Sequence, residues 1–149
     1  MITSQGKHQL EIQLTELKAE LVRTLDERAK AASEGDLKEN SAYIFYGERA
    51  EVLRSQIRQI QTDLASAKVQ SAPTQTSQIE FGHRVRLRFE TDNREMSIVL
   101  VGKNDAALKS DWISCESPLG IALLGKHQGS RVEVNGQMVS ILDITTENI

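Results

Sequence analysis

The sequence predicts an α+β protein in which a helical hairpin is followed by a small antiparallel sheet domain with one helix. Apolar residues recur at steps of three and four in the first half of the chain and at steps of two in the second half. A polar stretch without periodicity separates the two halves. We therefore expect one domain over 1–70 and another over 79–149, joined by a linker over 71–78.

The first half predicts two helices that pack along a seam. One series of apolar residues comprises Leu10, Leu14, Leu17 and Leu21, and Leu25 continues it slightly out of register. A second series alternates steps of three and four without a break: Tyr43, Tyr46, Ala50, Leu53, Ile57, Ile60, Leu64 and Ala67. Residues 33–36 form a short link between the two series. Two helices joined by so short a link predict an antiparallel coiled-coil hairpin, which either projects or docks on a further helix or a second copy.

The second half predicts strands around one short helix. Alternating or buried strand patterns cover 83–89, 96–101 and 112–115. Ser117 and Pro118 supply a cap and a first-turn proline for a helix over 119–124. Asn135 and Gly136 form a strong hairpin signal between two further strands over 131–135 and 138–145. These elements predict an antiparallel sheet covered by one helix.

Charge argues against a protein that coats nucleic acid without specificity. The formal net charge is −3, and residues 1–68 carry ten basic and eleven acidic side chains. Neither half is therefore a basic module, which such binding would need. Arg84, Arg86 and Arg88 share one strand face, which predicts either a solvated surface or an RNA surface.

Other classes of protein are excluded or disfavoured by composition. Apolar runs are too short to span a bilayer, and the first residues lack the apolar core of a signal peptide, so we expect a cytoplasmic protein with no membrane partner. Cys115 is the only cysteine, which excludes an intrachain disulfide. The histidines have no metal-binding spacing, and we expect His83 and His127 to lie on the surface.

The hairpin turn, which we call the tip and define as residues 35–41, carries the chemically interesting side chains. Gly35 suits the left-handed residue that ends a helix, and Asp36 suits the cap that begins the next. Asp36 and Glu39 are also two carboxylates three residues apart, and Mg²⁺ prefers oxygen ligands of this kind. The same spacing fits a capping box, and Asn40 or Ser41 could cap as well. Spacing alone leaves both interpretations open.

Two segments of the chain resemble the bacterial Gre-type transcript cleavage factors. The first reads Gly-Asp-Leu-Lys-Glu-Asn over 35–40 and is followed by Tyr43. The second, over 113–126, ends in an apolar helix and Gly-Lys, and resembles part of the family's FKBP-like C-terminal domain. The segments occur in the family's order, and the pattern covers essentially the whole chain.

The resemblance implies a catalytic cofactor of bacterial RNA polymerase, with no autonomous enzyme activity. Asp36 and Glu39 would help to hold a Mg²⁺ ion shared with the polymerase, which then cuts the 3′ end of a backtracked nascent RNA. The FKBP-like domain would dock at the rim of the secondary channel through Glu116, Ser117 and Pro118. The residues that would support the tip are Gly35, Leu37, Lys38, Asn40 and Tyr43. We expect the factor to be a monomer.

Three positions depart from the family's pattern. Ala32 and Gly47 stand where the family commonly has basic residues that contact the transcript, and Ala42 stands where it has Glu. The candidates to replace these RNA contacts are Arg28, Lys30 and Arg49. A second hypothesis therefore stays open, in which a Gre-like paralogue occupies the channel and modulates or inhibits the polymerase without efficient cleavage.

Overall fold

The computed structural model describes residues 1–35 and 40–149, and it confirms the predicted α+β class. The elements are α1 (Ser4–Ser33), α2 (Ser41–Ser66), β1 (His83–Phe89), β2 (Glu95–Val101), β3 (Trp112–Ser114), α3 (Pro118–Leu123), β4 (Arg131–Val134) and β5 (Gln137–Thr146). Residues 8–67 form one compact unit, the hairpin unit, while residues 1–7 and 68–149 form another, the sheet unit. None of the helices within the described ranges has the length and apolar character needed to cross a membrane.

The hairpin unit is organised by the predicted seam. In α2, Ala50, Leu53 and Ile57 are buried, and the other residues of the predicted series are half-buried. In α1 the inward positions continue past the leucines at the same spacing: Leu10, Leu14, Leu17, Leu21, Thr24, Arg28 and Ala31. Thr24 is only 7% exposed, so the seam changes from leucine to polar and small side chains as it approaches the tip.

The sheet unit contains a five-stranded sheet in the order β3-β2-β1-β5-β4. The pairs β1–β2, β1–β5 and β4–β5 are antiparallel, as predicted. The edge strand β3 differs because it pairs parallel to β2, and residues 102–111 supply the crossover that a parallel pair requires. Asn135 and Gly136 both have positive φ angles, 51° and 79°, which matches the predicted tight hairpin between β4 and β5.

The core of the sheet unit lies between one face of the sheet and α3. Inward residues alternate along the strands, with Val85 and Leu87 on β1 and Ile98 and Leu100 on β2, and Leu123 of α3 packs against them. All five side chains are 2% exposed or less. The β1 arginines lie on the opposite face, which also carries a second buried cluster that includes Val99, Val101 and Trp112.

The three arginines of β1 are paired with carboxylates. Arg84 contacts Glu147 at 2.9 Å and Asp111 at 3.0 Å, while Arg88 lies 3.0 Å and Arg86 4.0 Å from Glu95. Their charges are therefore balanced within the sheet unit. This pairing favours the solvated surface over the RNA surface.

A buried carboxylate organises the first turn of α1. Asp105 is fully buried and accepts hydrogen bonds from the Thr3 backbone N–H, from the Thr3 hydroxyl at 2.8 Å and from the Gly102 backbone N–H at 3.0 Å. The Thr3 hydroxyl oxygen in turn accepts from the Gly6 N–H at 2.9 Å, which is the bonding pattern of a helix N-cap. A Cβ on Gly6 would lie 1.7 Å from Asp105 Oδ1, so only glycine fits this approach.

The prediction that His83 lies on the surface is wrong, because its side chain is fully buried in the sheet unit. Its Nδ1 accepts a hydrogen bond from the Glu80 backbone N–H at 3.1 Å. The proton must therefore be on Nε2, which lies 3.1 Å from the carbonyl oxygen of Pro73 and donates to it. His127 is exposed, as predicted. Burial raises the pKa of the half-buried Cys115 thiol, as expected of a packing residue.

We expect Asp105→Asn to lower the free energy of unfolding by about 2 kcal/mol, because an amide nitrogen would then face a buried N–H or O–H donor. Urea denaturation followed by circular dichroism measures this change. Lys103→Ala, in the same loop but exposed, is the control and should leave the midpoint unchanged. An Asp105→Asn variant as stable as the parent would contradict the assigned role of Asp105.

We expect the Arg84–Glu147 pair to make stability depend on pH. The hydrogen bond from Arg84 holds the pKa of Glu147 below its ordinary value, so the folded protein binds this proton less readily than the unfolded chain. The stabilisation is present above the ordinary pKa of about 4.3 and is lost as pH falls through the lowered one. Glu147→Gln should therefore destabilise the protein at pH 7, and this effect should shrink progressively as pH falls below about 4. Thermal melts between about pH 7 and pH 3 measure this trend, with the exposed Glu133→Gln as control.

Candidate functional site

The candidate site is the tip together with the helix ends that flank it. The predicted site residues Asp36, Leu37, Lys38 and Glu39 lie outside the described residues. Gly35 is described and exposed, and Asn40 and Tyr43 are described and half-buried. The described part of the site therefore consists of the end of α1, up to Ser33, and the start of α2, from Ser41.

Asn40 is the N-cap of α2. Its backbone is extended, with φ −87° and ψ 96°, and its side-chain oxygen accepts a hydrogen bond from the Tyr43 backbone N–H at 3.1 Å. The prediction that Asp36 caps the second helix is therefore wrong, and the alternative cap at Asn40 is correct. Several residues of this run can cap, and the backbone conformation decides between them.

The same side chain closes the base of the tip. Asn40 Nδ2 donates a hydrogen bond of 2.6 Å to the carbonyl oxygen of Ala31, in the last turn of α1. That carbonyl also accepts from the Glu34 backbone N–H at 3.2 Å. A single amide side chain thus satisfies one orphan N–H of α2 and one carbonyl of α1. It holds the end of α1 against the start of α2.

Arg28 occupies a seam position next to this closure. The centre of its guanidinium lies 4.4 Å from the centre of the Tyr43 ring, a cation–π contact. A Cβ on Gly47 would lie 3.3 Å from three atoms of the same guanidinium. Glycine has a low helix propensity, but its missing side chain at position 47 leaves room for Arg28. The heptad spacing of α1, continued through polar residues, would have revealed this position.

Lys30 and Arg49, the other candidate RNA contacts, are already ion-paired. Lys30 Nζ lies 3.2 Å from Asp26 and 3.5 Å from Glu27, and the hydrogen bond that it donates to Asp26 is the main cause of its raised pKa. Arg49 bridges the two helices by contacting Glu20 at 2.6 Å. Both charges are therefore balanced by neighbouring carboxylates.

The predicted docking residues lie at the start of α3 in the sheet unit. Ser117 is the N-cap: its hydroxyl accepts from the Gly120 N–H at 3.0 Å and donates to the Ser114 carbonyl at 2.7 Å. Glu116 and Pro118 are exposed, and the nearby Ile121 is 65% exposed. The capping role and an outward-facing surface therefore coexist in this short segment.

Residues 1–35 and 40–149 contain no group of three or more His, Cys, Asp or Glu side chains placed to hold a metal ion. The Mg²⁺ ligands predicted from the sequence, Asp36 and Glu39, lie outside these residues.

Asn40 allows its two hydrogen bonds to be tested separately. Asn40→Ser keeps a capping oxygen but loses the bond to Ala31, so we expect it to cost about 1 kcal/mol of unfolding free energy. Asn40→Ala loses both bonds and should cost about 2 kcal/mol. Urea denaturation ranks the variants, with the exposed Ser41→Ala as control. Equal stability of the two Asn40 variants would show that the cap contributes nothing.

Comparison with known proteins identifies the family. A family model described as the N-terminal part of a transcription elongation factor matches residues 1–69, and one described as the GreA/GreB C-terminal part matches residues 74–146. The transcription elongation factor GreA of Mesomycoplasma hyopneumoniae strain 7448 is 32% identical over 151 residues, covering 99% of this chain and 94% of that protein. GreA of Maridesulfovibrio salexigens is 34% identical over 135 residues, covering 90% and 84%.

Among solved structures, the GreA factor homolog 1 protein of Thermus thermophilus matches with 20% identity and a TM-score of 0.45, covering 96% of each chain. The family models cover nearly all of both halves, and the curated relatives exceed 30% identity over most of the chain. The protein therefore belongs to the GreA/GreB family of transcription elongation factors.

Proposed function

We propose that this elongation factor binds RNA polymerase, inserts its hairpin into the secondary channel and stimulates cleavage of the 3′ end of backtracked RNA. The observation that carries the proposal is that Asn40 caps α2. Asp36 and Glu39 are therefore not needed for this cap. The capping interpretation was the main alternative to a chemical role for these two carboxylates.

The dimensions of the hairpin unit support delivery of a group over a distance. Helices of 30 and 26 residues are about 45 and 39 Å long at 1.5 Å per residue. Their contacts along a continuous seam, together with the Arg49–Glu20 bridge, make a stiff arm. Such an arm can carry the tip into a channel too narrow for the sheet unit.

Asp36 and Glu39 would hold Mg²⁺ jointly with polymerase residues, since two carboxylates alone make only part of a site. When bound, the ion would activate a water molecule and stabilise the leaving oxygen of the phosphodiester. The chain's own contribution is to bring two negative charges to the RNA 3′ end. The chain would thus be a cofactor of the polymerase's own cleavage activity.

Docking would use the start of α3. Glu116 and Pro118 are exposed, and Ile121 adds an apolar side chain to the same short helix. A charged residue beside an exposed apolar one is suited to contact with another protein. The Ser117 cap fixes the conformation of this surface, so little ordering is needed when the partner binds. A monomer that binds one polymerase is the expected stoichiometry.

We expect the double variant Asp36→Asn, Glu39→Gln to lose Mg²⁺-dependent cleavage by at least about 100-fold while keeping its fold. Neutral amides lack the negative charge of carboxylates and are therefore much weaker ligands for Mg²⁺. Stalled, backtracked elongation complexes are incubated with the factor and Mg²⁺, and RNA length and re-extension are measured. Thermal melting of the free factor checks that the fold is intact.

Glu34→Gln is the matched control, because it removes an exposed carboxylate from the same end of the hairpin. It should cleave at the parent's rate. If the parent itself slows elongation without shortening the RNA, the proposal fails and the second hypothesis, a channel-occupying modulator, replaces it.

A further inference from the structure

We infer that an apolar patch on α2, which comprises Ile44, Phe45 and Val52, binds an apolar surface of RNA polymerase that has basic side chains at its rim. The inference rests on the proposed function, because it names the part of the hairpin unit that contacts the polymerase protein. The contact is between proteins, so it requires neither RNA nor Mg²⁺.

The apolar patch lies near the tip and points away from the seam. Ile44 is 47% exposed, Phe45 60% and Val52 47%, whereas the nearby seam residues Ala50 and Leu53 are fully buried. Phe45 and Val52 are seven residues apart, so they lie on one face of α2, about 10 Å from each other along the helix axis. Ile44 borders this face, and the three side chains form one outward surface.

The Phe45 ring is oriented but not covered. It makes an edge-to-face contact with Tyr46, with ring centroids 5.2 Å apart and planes 73° apart. Tyr46 is half-buried on the seam, so this contact fixes the direction of the Phe45 ring and leaves most of the ring in solvent. Phenylalanine also has a lower helix propensity than alanine. The ring therefore adds little to the stability of the free factor, and an ordered, exposed aromatic is suited to binding a protein partner.

The charges around the apolar patch distinguish between possible partners. Glu48 is exposed and lies one turn from both Phe45 and Val52, and the two nearest arginines of α2 are paired with other carboxylates. Residues 20–52 carry eight acidic and five basic side chains. A segment with this balance repels the phosphates of RNA and also a second copy of itself. It attracts a protein surface with lysine or arginine around an apolar centre.

RNA polymerase fits this position along the hairpin. In the proposed function the tip lies at the RNA 3′ end, and Phe45 lies only about 8 Å from Asn40 along the helix axis. The apolar patch then faces the wall of the channel. An enzyme that binds a polyanion carries basic surfaces near its active centre, which supplies the rim that Glu48 requires. Burial of the patch against this wall slows the withdrawal of the hairpin.

The measurement is binding to core polymerase that contains no nucleic acid, by competition with a labelled parent factor. We expect Phe45→Ala to weaken binding at least about tenfold, and Phe45→Leu to weaken it less than about threefold because leucine keeps most of the apolar surface. Val22→Ala is the control: Val22 is an apolar residue of α1 that is 68% exposed, and this variant should bind like the parent. The melting temperature of Phe45→Ala should be no lower than that of the parent.

The charge argument has a test of its own. Glu48→Lys places a cation between Phe45 and Val52, so we expect weaker binding at low salt and a smaller difference at high salt, because salt screens exposed charges. Tighter binding of Glu48→Lys to the nucleic-acid-free polymerase would show that the rim of the partner is acidic, and it would overturn the inference.

Equal binding of Phe45→Ala and the parent would also overturn the inference. So would a loss of affinity seen only in complexes that contain RNA, which would indicate that the ring stacks on a base. A dimer of the parent that Phe45→Ala does not form, detected by sedimentation, would assign the patch to a second copy instead. A parent that binds polymerase through Phe45 but does not stimulate cleavage refutes the proposed cleavage function and leaves the inference standing.

Discussion

The hairpin unit depends on the packing of one seam. A two-helix hairpin has no second layer, so each inward position has to contribute both to stability and to the register of the helices. Away from the tip this is done by apolar side chains such as Leu10, Leu53 and Ile57, all less than 10% exposed. Towards the tip the seam passes to polar groups, and Arg28 occupies an inward position beside Tyr43. The apolar part holds the helices together, so the inward positions near the tip can be occupied by polar side chains.

The division of roles at the tip follows from the same constraint. A turn between two long helices must satisfy the exposed N–H and C=O groups of both ends. Asn40 can do this with one side chain because an amide both donates and accepts, whereas a carboxylate only accepts. The negative charges at Asp36 and Glu39 are then available for another purpose. Substitution of Asn40 by a neutral residue should accordingly weaken the link between the two helix ends and leave the charge of the tip unchanged.

Local spacing predicted most of the fold, and long-range contacts account for most of what it missed. Steps of three and four are a direct consequence of helix geometry, so every residue of the α2 seam could be predicted from its spacing. Arg28 was missed as a seam residue because a search for apolar periodicity passes over polar side chains. The burial of His83 depends on the carbonyl of Pro73, and that of Asp105 on Thr3, which is 102 residues away. No periodicity carries such information, and the choice of Asn40 over its neighbours as cap needed the backbone itself.

The distance in sequence between Thr3 and Asp105 also has a consequence for how the chain is made. During synthesis the N-terminal segment leaves the ribosome long before residue 105 does, and domains generally fold as they emerge. Most of α1 and all of α2 can pair as soon as both are present. The first turn of α1 acquires its buried carboxylate only after β1 and β2 have been synthesised, since Asp105 follows them in the chain. The start of the first helix should therefore be among the last parts of the protein to become ordered.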